Sequence, residues 1–434
     1  MSDPKTKWTI LTYIAAHNNL EDAGIRSWRQ ICNVGSTKQV MHGVLFDGPR
    51  GASRYIFGDP GKELIKEDFH NFDSGDPDRL IETATWLFQK YPAKNYCLIL
   101  WSHGTGWQPN EIQKIARQAR SDTEVSVMEA DQRSASTGSP ALFRTTLSQI
   151  LKQPSSQRAV LFDDGSQHSL DTLELFKVIE KVNEKTGVPL ELIGMDACLM
   201  ASLEVAYQIR NSVHFMIASE ELVPAASWPY DVIYGNLKAN PNLAGGDLAT
   251  LITKKYAKYY GMKELSTLGG DITKVALNLS KVVEISNALE QLCKNLIAEM
   301  ETVAPLLWNT QITCRDRELH QRVHSKFDIH LWDIQSLAHE LAAQSIGNRL
   351  LTACQGVSNS FHKGGAVLNN IHQGSWFEGI GGVSIYLPMP NESPGVTKYY
   401  PELNFAKDTS WYEMLLKYHQ DAKSAKARMQ SHLF

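Results

Sequence analysis

The distribution of apolar residues predicts buried strands that alternate with amphipathic helices in the first part of the chain. Apolar runs at residues 7–17, 40–48 and 95–101 have the length of strands. Between them, residues 20–31 and 76–91 place apolar side chains close to the helical period. Strands that alternate with helices favour a parallel sheet whose two faces are covered, so the predicted fold class is α/β.

A polar segment at residues 108–158 interrupts this alternation and shows no clear period. A polar stretch of this length within a domain is usually functional or disordered. Apolar runs return at residues 190–198 and 214–220. After about residue 271 the pattern is mainly helical, and a late strand is predicted at 381–388.

The composition is that of an ordinary globular protein and excludes several classes of function. The chain has 434 residues, of which 43% are hydrophobic and 21% charged, with a net charge of −4. Nothing in this balance resembles the basic footprint of a nucleic-acid-binding protein, so no nucleic-acid partner is expected. No apolar run approaches the roughly 20 residues of a membrane span, and the start has no secretory signal pattern. We therefore expect a cytoplasmic protein with no membrane partner, whose six scattered cysteines are free thiols.

The third apolar run ends in a glycine-flanked histidine. The stretch LILWSHGTGW, at residues 98–107, passes from apolar residues to Ser102, His103 and Gly104. Such a histidine is often only a structural or exposed turn residue. In open α/β sheets, sites form beyond the carboxyl ends of the strands, and His103 is predicted at such an end. Its glycine neighbours would let backbone N–H groups approach a substrate.

A later strand end carries a cysteine. In the stretch GMDACLMASLEVAYQIR, Cys198 follows an apolar run and Asp196, and a helix is predicted to begin directly after it. A cysteine in this position is commonly a small buried apolar residue. If the two strands are neighbours, His103 can act as a base toward the thiol, and a helix N-terminus favours the thiolate. Together the two motifs predict a Cys–His dyad.

These two stretches resemble the catalytic motifs of the clostripain-like cysteine peptidases, peptidase family C11 of the caspase-fold clan CD. Similar segments occur at residues 8–21, 381–388 and 403–418, so the resemblance covers about residues 7–420. It implies a caspase-like core, with a mainly parallel sheet flanked by helices, followed by a mainly helical, family-specific C-terminal region. We place the core at 1–271 and the C-terminal region at 272–434.

The resemblance also implies an activity and the residues that carry it. The expected activity is that of a cysteine endopeptidase that cuts protein substrates after arginine or lysine. Cys198 is the expected nucleophile and His103 the general base. The backbone N–H groups of Gly104 and Cys198 are the expected oxyanion hole, which stabilises the tetrahedral intermediate.

Recognition of a basic P1 side chain requires a buried anion. Asp196 is placed for this role, with capping of the following helix as the alternative. Family members often carry a second acid in the loop after residues 214–220, where this chain has Ala225, Ala226 and Ser227. The nearby acids that would replace it are Glu220, Glu221 and Asp231. Trp228 is predicted to line the cleft, and a position in the core is equally open.

Residues 108–158 lie between the two catalytic motifs, where many caspase-fold peptidases are cut on activation. The segment contains several basic residues, namely Lys114, Arg117, Arg120, Arg133, Arg144, Lys152 and Arg158. We expect a zymogen whose linker is cut by the enzyme itself or by an upstream activating protease, as in a bacterial protease cascade. An ordinary solvated loop is the alternative.

The sequence contains no metal-ligand pattern of known spacing. His320 and His324 have the spacing of a helical pair, but the sequence HQRVH lacks the glutamate of the zincin motif. No cofactor is therefore expected, although calcium stays open because ligands on separated loops leave no motif. Two other functions also stay open, namely a non-catalytic caspase-like binding scaffold and a cysteine hydrolase of non-peptide substrates.

Overall fold

A computed structural model describes ten segments of the chain. They are residues 6–18, 20–104, 170–221, 223–224, 226–261, 272–319, 330–344, 346–373, 379–389 and 400–431. The predicted cleavable linker at 108–158 and the pair His320 and His324 lie outside these segments.

Within these segments, eleven strands form one large sheet and one small sheet. They are β1 (Thr6–Ala15), β2 (Val40–Gly48), β3 (Gly51–Phe57), β4 (Glu63–Phe69), β5 (Ala93–Trp101), β6 (Leu190–Asp196), β7 (Val213–Ala218), β8 (Ile272–Asn278), β9 (Leu331–Asp333), β10 (Val367–Gln373) and β11 (Ser384–Tyr386). The large sheet has the order β10-β8-β7-β6-β5-β1-β2-β3-β4, and its five central strands, from β7 to β2, are parallel. The outer strands pair antiparallel.

Helices connect and cover these strands. In the described residues they are α1 (Glu21–Val34), α2 (Pro77–Lys90), α3 (Thr172–Thr186), α4 (Leu203–Ile209), α5 (Tyr230–Ala239), α6 (Gly245–Tyr260), α7 (Val282–Ala298), α8 (Met300–Leu319), α9 (Ile334–Ala342), α10 (Asn348–Asn359), α11 (Asn404–Asp408) and α12 (Trp411–Ser431). Local sequence fixes their ends. A capping box of Asp171 and Glu174 starts α3, and Gly187 in the left-handed conformation ends it. None of the described helices combines the length and the apolar character that a bilayer crossing requires.

The two faces of the large sheet carry separate apolar layers. Neighbouring residues of a strand point to opposite faces, so Ile10 and Leu11 of β1 belong to different layers. Helices α1, α5 and α6 cover the face of Ile10, whereas α2, α3, α4 and the C-terminal helices cover the face of Leu11. The predicted mainly parallel sheet flanked by helices is thus confirmed.

The C-terminal part of the chain contributes to both sheets. It is mainly helical, as predicted, but β8 and β10 extend the central sheet beyond β7. The large sheet therefore contains strands from both sides of the predicted boundary at residue 271. The small β9–β11 sheet docks on the start of α4, where Ser384 N–H donates to the carbonyl of Ala201 at 2.9 Å. The N–H of Tyr386 donates to the carboxylate of Glu204, also at 2.9 Å.

Candidate active site

The register of β5 on β6 brings the two predicted catalytic motifs together. Trp101 and Asp196 are paired at the ends of these parallel strands. One residue further on, Ser102 N–H donates to the carbonyl of Asp196 at 3.3 Å. His103 and Cys198 therefore each lie two residues beyond a paired position, at the same edge of the sheet. The predicted adjacency of the two strand ends is confirmed.

Gly104 is in direct contact with the backbone of the nucleophile segment. A Cβ atom at Gly104 would lie 2.5 Å from the carbonyl oxygen of Cys198 and 2.9 Å from the Cβ of Ala197. Both distances are shorter than van der Waals contact, so only glycine fits without movement of the backbone. The glycine after His103 is thus explained by a close approach between the two motifs.

The helix after Cys198 begins later than predicted. Leu199 has a φ of 63°, and its N–H donates to the carbonyl of Glu221 at 3.3 Å. Helix α4 starts only at Leu203, and the cap is Ser202, whose hydroxyl accepts from the N–H of Val205. The expected helix N-terminus at Cys198 is therefore wrong, and so is the alternative in which Asp196 caps this helix.

The thiol of Cys198 is held in its protonated form. Burial, together with the charges of Asp196 and Glu221, raises the pKa of this thiol to about 11. The N–H of Val223 donates a hydrogen bond to Sγ at 3.3 Å, and this bond, with the charge of Lys274, acts in the opposite direction. Formation of a thiolate near neutral pH therefore requires a base or a rearrangement of the site.

The carboxylate of Asp196 is buried and already bonded within the protein. Its Oδ2 accepts a hydrogen bond from the Ser227 hydroxyl, one from Trp228 N–H at 3.3 Å and one from the Tyr230 hydroxyl at 2.7 Å. Burial raises the pKa of Asp196, whereas the charge of Lys274 and these three bonds lower it. Asp196 thus lies beside the nucleophile, as predicted, and fastens the loop after β7.

That loop is further fixed through Ser227. The residue has a φ of 62°, its hydroxyl accepts from Trp101 Nε1 at 2.8 Å, and its carbonyl accepts from the Tyr260 hydroxyl at 2.8 Å. The next residue, Trp228, has no exposed surface, and its ring packs on Gly194 in β6. Of the two positions open for Trp228, the structure supports the one in the core.

The acids considered as replacements for a second pocket carboxylate lie elsewhere. Glu220 is buried, and its carboxyl group is hydrogen-bonded with Asp333. Asp231 is exposed in the first turn of α5. Glu221 influences the thiol of Cys198 through its charge, but its own backbone N–H is bonded to Thr273. The carboxyl group of Glu220 thus contacts Asp333, and its compensation for the second pocket acid stays a prediction.

Lys274 is a residue of the site that the sequence analysis missed. It lies in β8 with no exposed surface, and its charge acts on both Asp196 and Cys198. Burial lowers the pKa of Lys274 to about 8, and these two groups oppose the shift. A single lysine inside the run ITKVAL was the available signal, because a lysine seldom interrupts a buried strand without a partner.

Groups of potential metal ligands were sought among the described residues. In the part of the chain that the structure describes, no three histidine, cysteine or acidic side chains are grouped closely enough to hold a metal ion. Calcium dependence remains an open prediction.

Family membership follows from the sequence profile that matches this arrangement. The profile of the clostripain family, peptidase C11, matches residues 13–126 and 148–418. The chain belongs to the clostripain family. This result confirms the resemblance inferred from the His103 and Cys198 motifs, both of which lie within the matched ranges.

Individual relatives of this family member are distant. Clostripain of Hathewaya histolytica is 26% identical over 197 residues, which is 44% of this chain and only 29% of that protein. A secreted C11 cysteine protease from Bacteroides thetaiotaomicron, solved with an irreversible peptide inhibitor, has a TM-score of 0.61 at 19% identity. An inactive zymogen C11 protease from Parabacteroides distasonis has a TM-score of 0.56 at 16% identity. Each structural match covers 94% of this chain and 99% of the other, and shows a shared fold.

Proposed function

We propose that this clostripain-family chain is a cysteine endopeptidase. Cys198 Sγ attacks the scissile carbonyl, while His103 accepts the thiol proton and passes it to the leaving amine. Water then attacks the acyl-thioester, with His103 again as base, and releases the second product and the free thiol. The N–H groups of Gly104 and Cys198 stabilise the negative oxygen of both tetrahedral intermediates.

The observation that carries this proposal is the close approach of Gly104 to the backbone of Cys198. This contact joins the histidine motif to the cysteine motif at one point. It brings together a histidine motif and a cysteine motif that lie 95 residues apart in sequence (198 − 103 = 95), just beyond the ends of two paired strands. A binding scaffold or a hydrolase of other substrates has no comparable support from a specific contact.

We further propose that the enzyme is a zymogen, activated by a cut within residues 108–158. The cut is made by the enzyme itself or by an upstream protease in a bacterial cascade. The raised pKa of the Cys198 thiol, and the contact of the loop after β7 with its Sγ at Val223, support a latent uncut form. The related Parabacteroides distasonis protein is described as an inactive zymogen.

Cleavage after arginine or lysine is the specificity that the family resemblance implies for this chain. Its support is the position of Asp196, two residues before the nucleophile. The buried charge of Lys274 beside Asp196 opposes it. Basic specificity therefore stays a prediction. It requires that the P1 side chain of the substrate be attracted by Asp196 more strongly than it is repelled by Lys274.

A cytoplasmic location is also proposed. All six cysteines are free thiols, five of them buried, which suits a reducing compartment. Separation of periplasmic or extracellular fractions from the cytoplasm, followed by immunodetection of the chain, would test this location.

The activity is tested with intact protein and with protein nicked in residues 108–158, using casein and fluorogenic peptides that vary at P1. Reductant is present throughout, with and without calcium. We expect turnover in the nicked protein that disappears in Cys198→Ala and in His103→Ala. Cys32→Ala and His214→Ala make the same changes in α1 and at an exposed position of β7 and should retain turnover. Cleavage that persists in Cys198→Ala would refute the mechanism, and full activity of uncut protein would refute the zymogen.

A further inference from the structure

Ser102 connects the turn that carries His103 to the strands on both sides of β5. Its backbone N–H donates to the carbonyl of Asp196, at the end of β6, at 3.3 Å. Its hydroxyl donates to the carbonyl of Ala15, at the end of β1, at 3.1 Å. The residue is buried, with 4% of its surface exposed. Ser102 thus joins three strand ends at the edge of the sheet where Cys198 lies.

The Ala15 carbonyl also accepts a hydrogen bond from the turn after β1. Nδ2 of Asn18 donates to it at 3.1 Å, and Oδ1 of Asn18 accepts from the N–H of Leu20 at 2.9 Å. The pairing of β1 with β5 ends one residue before Ala15 and Ser102. The Ser102 hydroxyl therefore continues the connection of these two strands beyond their last pair, on a carbonyl that Asn18 holds in place.

His103 lies between two residues that are each fixed to another part of the site. Ser102 precedes it and is bonded to the ends of β1 and β6, whereas Gly104 follows it and packs against the backbone of Cys198. The backbone bond of Ser102 is open to every residue except proline, but the bond to Ala15 requires a side-chain donor. Removal of the hydroxyl would therefore detach the histidine turn from this carbonyl of β1.

We propose that Ser102 is a positioning residue of the peptidase, whose hydroxyl keeps the imidazole of His103 within reach of the Cys198 thiol by anchoring the histidine turn to β1. Ser102 acts through His103 and takes no part in proton transfer itself. The inference rests on the peptidase activity proposed above and adds a residue to its machinery. Misplacement of a catalytic group by about 1 Å can lower a rate about 100-fold, so loss of this anchor should be visible in turnover.

Ser102→Ala removes the anchor without leaving a buried group unbonded. The Ala15 carbonyl keeps the bond from Asn18, and the backbone N–H of residue 102 keeps its bond to β6. The matched control is Ser360→Ala, because Ser360 is also buried and donates its hydroxyl to a backbone carbonyl, at the end of α10. We expect both variants to unfold at similar temperatures, since each loses one such hydrogen bond.

The test measures peptide cleavage and Cys198 alkylation in protein nicked within residues 108–158. We expect Ser102→Ala to lower kcat about tenfold to 100-fold with KM changed by less than about twofold, and Ser360→Ala to leave both unchanged. Alkylation by iodoacetamide at pH 7, followed by mass spectrometry of the peptide that contains Cys198, reports thiolate formation even in variants without turnover. Unfolded molecules react in a separate phase, so the rate constant does not depend on the folded amount.

The double variant Ser102→Ala with His103→Ala distinguishes positioning from a general structural effect. If Ser102 acts through His103, its removal slows alkylation about tenfold in the wild-type background and has no effect when residue 103 is alanine. An equal slowing in both backgrounds would overturn the positioning role.

The remaining outcomes separate this inference from the peptidase activity. Cleavage and alkylation that depend on His103 but are unchanged in Ser102→Ala would overturn the role of Ser102 and leave the peptidase intact. Absence of cleavage by the nicked wild type, together with an alkylation rate unchanged in His103→Ala, would overturn the dyad and the inference together.

Discussion

The backbone N–H of Val223 donates a hydrogen bond to the Sγ atom of Cys198. This contact crosses from the loop after β7 to the nucleophile at the end of β6. The same loop is tied to Asp196 by Ser227, Trp228 and Tyr230. The loop thereby covers one side of the thiol that must attack a substrate, and the strand-end carboxylate holds it there. The nucleophile is placed for catalysis and protonated at the same time.

The state of this thiol leads to a prediction about its reactivity. Because burial raises the pKa of Cys198 to about 11, its alkylation by iodoacetamide in uncut protein should be slow at pH 7. Only the thiolate reacts, so the rate should rise about tenfold for each pH unit up to pH 10. Intact mass spectrometry of timed samples measures this rate, and the Cys198→Ala variant identifies labelling at the other cysteines. A plateau below pH 8 would show a thiol already activated in the uncut protein.

A second prediction concerns the contact between the two motifs. Gly104→Ala would place a methyl group 2.5 Å from the carbonyl oxygen of Cys198, so one of the two segments must move. We expect a loss of kcat/KM of about 100-fold or more, since misplacement by an ångström has effects of that size. Overpacking should also lower the free energy of unfolding by about 1–3 kcal/mol.

The matched control for this substitution is Gly235→Ala. Gly235 lies inside α5, and an added Cβ there meets no atom within 4 Å. This change should preserve activity and raise stability by about 0.5–1 kcal/mol, because alanine is the better helix former. Wild-type turnover in Gly104→Ala would show that the close approach is not required for the site.

The ends of the two strands that carry the catalytic motifs could be predicted from the sequence, and the structure has them at the predicted positions. Nearly unbroken apolar runs become β5 and β6, which end at Trp101 and Asp196. Continuous apolar runs are typical of central parallel strands that are covered on both faces. Since sites form at the carboxyl ends of such strands, the placement of His103 and Cys198 followed from the same pattern.

Other parts of the fold and of the site could not be predicted from the pattern of apolar residues. Strand β4, at the sheet edge, has four charged residues among its seven, and Lys274 interrupts β8, so neither strand has a clear apolar run. The delay of α4 depends on Leu199 in the left-handed region, which is rare for leucine and is imposed by pairing with the loop after β7. The Val223 contact involves a backbone N–H, which every residue except proline possesses.

A third prediction addresses the pair Asp196 and Lys274 directly. Asp196→Asn removes the counter-charge of a buried ammonium group and should lower the free energy of unfolding by about 3 kcal/mol. In the double variant Asp196→Asn with Lys274→Met, no unbalanced charge remains, so part of this loss should be recovered. Urea denaturation of the four proteins gives the coupling energy. Additive effects would mean that the two charges do not interact.

The last prediction concerns Glu204, which joins the nucleophile segment to the C-terminal region. Its Oε1 accepts hydrogen bonds from Tyr386 N–H at 2.9 Å and from the Tyr400 hydroxyl at 3.1 Å. Burial raises the pKa of Glu204 from 4.5 to about 7, against the effect of these bonds. Between these pH values the folded protein keeps the proton that the unfolded chain has lost. The wild type therefore loses stability as pH rises from 4.5 to 7.

Glu204→Gln retains the acceptor oxygen and cannot ionise. We expect it to match the wild type near pH 4.5 and to exceed its free energy of unfolding by about 1–3 kcal/mol at pH 8. Glu413→Gln, at an exposed position of α12, should show no such divergence. Denaturation curves at pH 5, 6, 7 and 8 measure the difference. If Glu204→Gln is less stable than the wild type at pH 8, the prediction is wrong. The hydrogen bonds from Tyr386 and Tyr400 to the ionised carboxylate would then stabilise the fold by more than the burial of its charge destabilises it.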